Sequence, residues 1–467
     1  MDEVVPVESE GDRDLLPGIR VRAVALLVVV AFLTGSGLIL DRAVGPNGAA
    51  EGAPSAGPTG ALFCPHGGHS GWEGWVVVTN PGRHRVRVRL TQLGKDGTLS
   101  VTTFAVGALR QVYRQISADD PADATQVEYF GGWVGAAAIV ATGAPGGLAA
   151  ERCEQTAHRN WFVMDVPTGA DQTSYLVVMN PFDEPAEFDV VLRTEKREVA
   201  AGPLTPYVLA PQHSVGIQVN DFLLLGPGEE SLTARVIQRV GRVVAGGLQM
   251  SVAGIRAEVG VSGAGARWVI PAGADAGTRE LVVLNDGDSR ADLSVVAQGP
   301  KVQRLVSGPE GFSVGPGEVK TFQPERVKDA GLLVAGSNGR PMIAALRLTG
   351  PRGDSATLNG SSTTAGDWLV MPTLPPTGGR SFLFLQNPGR RRVEVSFQLI
   401  GSEGPSPASI RTRTIPPGGT IWIILPPQGD RPVSAVVSAR GGTIVASVAS
   451  YSLDRTGYAA TLGLPIR

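Results

Sequence analysis

Six residues near the start of the chain, Cys64 to His69 in FCPHGGHSGWEGW, bring one thiol and two imidazoles together. Cys64, His66 and His69 could supply sulfur and two nitrogens to a tetrahedral metal ion, with water as a fourth ligand. A second chemistry uses only the sulfur. Cys153 is the other cysteine of the chain and lies in AAERC. A Cys64–Cys153 bridge would join the first and last strands of one β-domain. Closing a loop of that length would stabilise by about 4 to 5 kcal/mol in the chain-entropy picture. A thiol nucleophile is the third reading, and an oxidising compartment disfavours it. The disulfide is the expectation, with the Cys64, His66, His69 metal set as the alternative.

Little else could act as an acid or base. All five histidines lie at or before His213. Neither a GxSxG elbow, an HExxH helix nor a phosphate loop occurs. Carboxylate pairs such as Glu229 and Glu230 fall in Gly/Pro-rich loops. The net charge of −2 gives no basic stripe for nucleic acid. No cofactor is expected. An enzyme of cell-wall glycans is the competing class, with Cys64, His66, His69 and Glu73 as its site.

The elements that must position these residues recur. The strands WVVVTNPG, YLVVMNPF, LVVLNDG and FLFLQNPG place Asn80, Asn180, Asn285 and Asn387 about a hundred residues apart. Trp161, Trp268 and Trp368 precede the last three of these, and Phe63 holds that place before the first. Turn prolines follow at Pro211, Pro316 and Pro417. Period-two alternation, as in VRVRLTQL and VEVSFQLI, buries one face of a strand and wets the other. Gly 62 and Pro 35 supply the turns. The chain is therefore expected to be all-β, with four tandem immunoglobulin- or fibronectin-like sandwiches at 62–160, 161–267, 268–367 and 368–467. Their linkers are short enough for a rod or a compact stack.

Residues 23–40 are free of charge and close to the length needed to cross a bilayer as a helix. Arg20 and Arg22 flank the start, which favours a cytoplasmic segment at 1–22. The stretch 41–61 is a Gly/Pro/Ala-rich spacer. The expected location is the cell membrane, single-pass, with the bulk of the chain extracytoplasmic.

These landmarks resemble an uncharacterised family of secreted or membrane-anchored actinobacterial proteins built from sandwich repeats with a W…NPG pattern. The resemblance rests on FCP, the four Asn-bearing strands, the P-G turns and AAERC before NWFVM, and it implies architecture and envelope location but no activity. The absent turn proline in the first copy and the acidic turns of the middle copies depart from it.

The candidate binding residues are basic. The turns PGRHRVRVR and PGRRRVEV carry Arg83, His84, Arg85, Arg87 and Arg89 in one case and Arg390, Arg391, Arg392 in the other. Arg83, Arg85 and Arg390 to Arg392 are the expected anion contacts, through forked guanidinium bonds to anionic cell-wall polymer or envelope proteins. They could instead pair with the acidic turns of the middle copies, or guard exposed strand edges. The GPRGDS turn around Asp354 is read as a turn only.

Overall fold

Alternating sequence of this kind gives antiparallel sheets, and among the described residues the computed structural model consists of them, with two short 3-10 turns besides. It describes residues 59–466 apart from 144–146, 170, 201, 223–230, 273–276, 308–310, 337, 351–352, 377, 409 and 454–456. The expected membrane helix at 23–40 and most of the spacer lie outside the described residues. Among the described residues no helix is long and apolar enough to cross a membrane.

The first stretch contains β1 (Gly60–Cys64), β2 (Glu73–Asn80), β3 (Val86–Gly94), β4 (Gly97–Val106), β5 (Arg110–Ile116), β6 (Ala124–Phe130), β7 (Gly135–Thr142) and β8 (Gly147–Arg152). They form two sheets, β1-β6-β3-β4 and β5-β2-β7-β8. Three later stretches repeat both strand orders, with short extra strands at their edges. In the immunoglobulin order the first strand shares a sheet with the second. Here β1 lies instead beside β6, in the other sheet from β2.

Each marker asparagine is fully buried at the end of the second strand. The Asn80 amide nitrogen donates to the carbonyls of His84 (2.7 Å), Val106 (3.2 Å) and Gly107 (2.9 Å). Its oxygen accepts from the Gly82 amide at 2.9 Å. One side chain thus fastens the turn after β2 to the turn before β5, using a donor and an acceptor together, which neither Asp nor Leu can offer. Asn180, Asn285 and Asn387 make the same set, to Glu184, Ser289 and Arg391 and to the matching later turns.

The tryptophans fill a second recurring site. Trp161, Trp268 and Trp368 lie on the first strands and are buried. Their indole N–H groups donate to the carbonyls of Val243 (2.8 Å), Met342 (2.6 Å) and Ile444 (3.0 Å). Opposite each ring stands a glycine, Gly260, Gly360 or Gly463. A Cβ there would come within 3.2, 3.1 or 3.3 Å of the ring's Cε3. Strand register corrects the expected first-copy counterpart. Leu62 pairs Val127 as Trp161 pairs Val236, Trp268 pairs Val334 and Trp368 pairs Val437. Leu62 therefore holds the tryptophan slot. Phe63 is one residue on and faces the other way, with its ring 5.7 Å from that of Phe182.

The chain closes on itself. The counterparts of β8 are Gly254–Val259, Ser355–Asn359 and Tyr458–Leu462. β8 packs on the first of these, the first on the second, the second on the third, and the third on β8 again. Ala118, Val140 and Ala149 meet Val177, Leu248 and Ile255 at one junction. Ile139, Leu148 and Ala150 meet Leu369, Met371 and Ala459 at the junction between the first and last stretches. Hydrogen bonds seal the latter: Thr79 Oγ1 to Ser434 Oγ (2.7 Å), and Gln111 Nε2 to the Pro432 carbonyl (2.5 Å). The expected compact stack is a closed circuit, not a rod. Each fully buried leucine or valine at these seams contributes about 1.5 to 3 kcal/mol.

Candidate functional site

The opening stretch is a structural element. Cys64 and Cys153 form a disulfide with Cα atoms 4.5 Å apart across a separation of 89 residues. Both are buried. Because β1 and β8 belong to facing sheets, the bridge staples the sandwich from side to side. Cys153 N donates to the Ala136 carbonyl as Gly260, Gly360 and Gly463 do to Ala245, Ala344 and Ala446. Cys153 therefore stands in the glycine slot.

This corrects the metal alternative, since the sulfur is consumed and the two imidazoles diverge. His66 is buried, with Nδ1 2.7 Å from the Gly67 carbonyl and Nε2 3.0 Å from Thr125 Oγ1. A carbonyl only accepts, so Nδ1 carries the proton and Nε2 takes one from the threonine hydroxyl. Burial pushes this ring below the ordinary imidazole value, against the Gly67 bond and the charge of Asp123. His66 is a neutral core histidine. His69 is exposed, with its ring 5.7 Å from Trp72, and Glu73 is exposed too. Among the described residues no group of three or more metal-ligating side chains converges. Gly67, at φ 63°, needs its missing Cβ, which would stand 2.9 Å from Leu248 Cδ2 of the second stretch.

The arginine turns are displayed outward. Arg83, Arg85, Arg390, Arg391 and Arg392 are all exposed and have no carboxylate partner among the described residues. The asparagine bracket fixes the backbone that carries them: Asn80 binds the carbonyl of His84, and Asn387 that of Arg391. Arg89 differs, being paired with Glu128 at 2.5 Å. Arg87 lies over the Phe130 ring at 5.3 Å. The acidic turn at Asp286 pairs with Arg235 (2.7 Å) and Arg193 (3.7 Å) of the second stretch, not with the basic turns. Asp354 of the GPRGDS turn is buried.

Two polar sites escaped the sequence reading. At the centre of the circuit a cavity of about 350 Å³ is lined from all four stretches, among others by Glu151, Glu258, Asn359 and Thr461. The Glu151 carboxylate is buried with no hydrogen-bond partner. Burial first, then the charges of Glu258 and Glu154, push its carboxyl well above the usual range. Burial likewise lifts Glu258, helped by Asp165 and opposed by Arg256.

The second site lies between the second and third stretches. Asp165 sits at a β-bulge in the left-handed region, at φ 53°, which Asp tolerates better than most residues. Its carboxylate is buried against Arg256 Nη1 (3.1 Å), Arg347 Nε (2.9 Å) and Ser231 Oγ (3.3 Å). Arg347 Nη2 also bonds Asp165, and its Nη1 reaches Glu280 at 2.5 Å. Burial alone would raise Asp165, but the two guanidinium groups outweigh it and hold the carboxyl below its ordinary value.

The family model that matches this chain is that of a family of unknown function, DUF5719, over residues 115–373, a little over half the chain. The chain belongs to DUF5719. The matched span includes Asp165, Arg256 and Arg347. No curated protein matches this DUF5719 chain. A solved structure titled Thermotoga maritima 1070 is similar at 20% identity, covering 23% of this chain and 96% of that one, with a TM-score of 0.19. Another is titled as a tetra-tandem repeat in the extending region of a large adhesion protein. It is 9% identical, covers 87% of this chain and 99% of that one, and has a TM-score of 0.10. At such scores neither likeness bears on the site of this DUF5719 member.

The signal for the polar junction lay in the repeat itself. Glu280 and Arg347 are cross-strand partners. Their slots hold Trp75 and Ile139, Tyr175 and Leu248, and Phe382 and Ala449 in the other copies. Arg256 likewise replaces Ala149, Ala356 and Ala459. Reading the four copies in strand register would have exposed these charges in apolar slots.

Proposed function

We propose that this chain is a non-catalytic, membrane-anchored envelope protein that binds anionic cell-wall polymer or other envelope proteins. In this reading residues 23–40 cross the membrane and 41–61 form a spacer. The sandwich modules at 62–160, 161–267, 268–367 and 368–467 stand outside, related to immunoglobulin domains in their two-sheet packing more than in strand order.

The observation that carries the binding reading is the pair of arginine turns. Arg83, Arg85 and Arg390 to Arg392 are exposed and without carboxylate partners among the described residues, on backbone fixed by buried asparagines. Preset guanidinium forks lose little order on meeting phosphate or carboxylate. The Cys64–Cys153 disulfide supports an oxidising compartment.

The test is retention on anionic cell-wall polymer at low ionic strength. Replacing Arg390, Arg391 and Arg392 together by Ala should weaken it several-fold, and added salt should weaken the native chain in the same direction. Retention indifferent to both changes would sink the proposal.

A further inference from the structure

At one of the circuit's four junctions charges occupy strand slots that hold apolar residues in the other copies. Buried ion pairs are seldom more stabilising than well-packed hydrophobic residues of similar volume. The other copies show that Trp, Ile, Ala and Leu fill the same slots without them. Stability therefore does not account for Arg256, Glu280 and Arg347.

A cavity of about 590 Å³ opens beside these residues, within the usual size range of small-ligand sites. Gln249 lines it at 2% exposed, and neither its amide oxygen nor its amide nitrogen has a partner. Its counterpart in the third stretch is Leu348, which pairs Ala356 as Gln249 pairs Arg256. A buried unpaired amide destabilises the fold unless something else bonds it. Arg256 bonds Asp165 through Nη1, and its Nε and Nη2 bond no described residue. Ser251 and Thr349 add hydroxyls to the wall.

The lining offers donors and acceptors together, and its charges balance in number: the carboxylates of Glu195 and Glu280 against the guanidinium groups of Arg256 and Arg347. An ion would upset that balance, whereas a neutral molecule rich in hydroxyls would satisfy Gln249 and Arg256 together. We propose that the cavity between the second and third stretches binds a neutral, polyhydroxylated ligand, a saccharide unit of a glycan. The source of that glycan rests on the envelope reading above. The site does not depend on the arginine turns.

The experiment is calorimetric titration of the full chain in detergent with cellobiose and with N,N′-diacetylchitobiose, and with glucuronate as the charged arm. At least one neutral disaccharide should bind. Gln249→Leu, which installs the residue of the third copy, should weaken that binding at least tenfold without lowering Tm. Arg256→Ala, the residue of the other three copies, should weaken it too. Binding of neither disaccharide, binding unchanged in Gln249→Leu, or a preference for glucuronate would each overturn the proposal. Polymer retention through Arg390 to Arg392 is a separate measurement, so either reading can fail alone.

Discussion

The first copy and its three siblings secure the same corner of a two-sheet fold by different means. In the siblings a tryptophan on the first strand lies over a glycine that follows the eighth, as Trp268 does over Gly360. In the first copy the tryptophan slot shrinks to Leu62, the glycine becomes Cys153, and Cys64 reaches across to it. One solution relies on ring area and one indole hydrogen bond, the other on a covalent link that limits the unfolded chain. The corner must be closed, but the backbone does not dictate how.

Removing the ring should have the largest effect. Trp268→Ala is expected to cost about 3 to 5 kcal/mol in a denaturant titration, through the cavity it leaves. Cutting the covalent link comes next: Cys64→Ser with Cys153→Ser should cost about 2 to 4 kcal/mol. Leu62→Trp, Cys64→Ile and Cys153→Gly together rebuild the siblings' corner in the first copy. That variant should recover at least half of the loss, and a triple variant weaker than the double serine one would break the equivalence. Gly360→Ala follows, at about 1 to 3 kcal/mol, because the added methyl meets the Trp268 ring and the Ala344 carbonyl.

The smallest effect concerns the axial carboxyls. Glu151 is raised in the folded chain, so the folded state holds its proton longer than the unfolded one does. Stability is then full below the unfolded value of about 4.3 and declines as pH rises towards the folded one. Glu151→Gln should raise Tm more at pH 8 than at pH 4, and equal shifts at both would show that its ionisation is not coupled to folding.

Much of this was legible in the residues. Period two and the recurring asparagines announced an all-β repeat, and the two cysteines announced their bridge. Other features were not. Counting back from Asn80 lands on Phe63. Trp161 and Trp368 stand 19 residues before their asparagines and Trp268 stands 17, so loop length varies and counting does not fix a strand's face. Pairing fixes it, and pairing chose Leu62. The placement of β1 beside β6 and the closure of the last stretch onto the first arise from contacts between distant residues, which leave no local period. The charges at Arg256 and Arg347 were visible as residues, but their meaning required knowing that their slots face inward.

The asparagine bracket also bears on the order in which the chain is put together. Asn80 ties itself to residues 4, 26 and 27 positions later, whereas the first-copy disulfide spans 89. Chain closure grows more costly with the logarithm of the span, and the difference between spans of 27 and 89 amounts to about 1 kcal/mol. Contacts of short span are the less costly ones to make first. Each bracket therefore marks a place where ordering can begin within its own hundred residues, before the distant corner of that copy is shut.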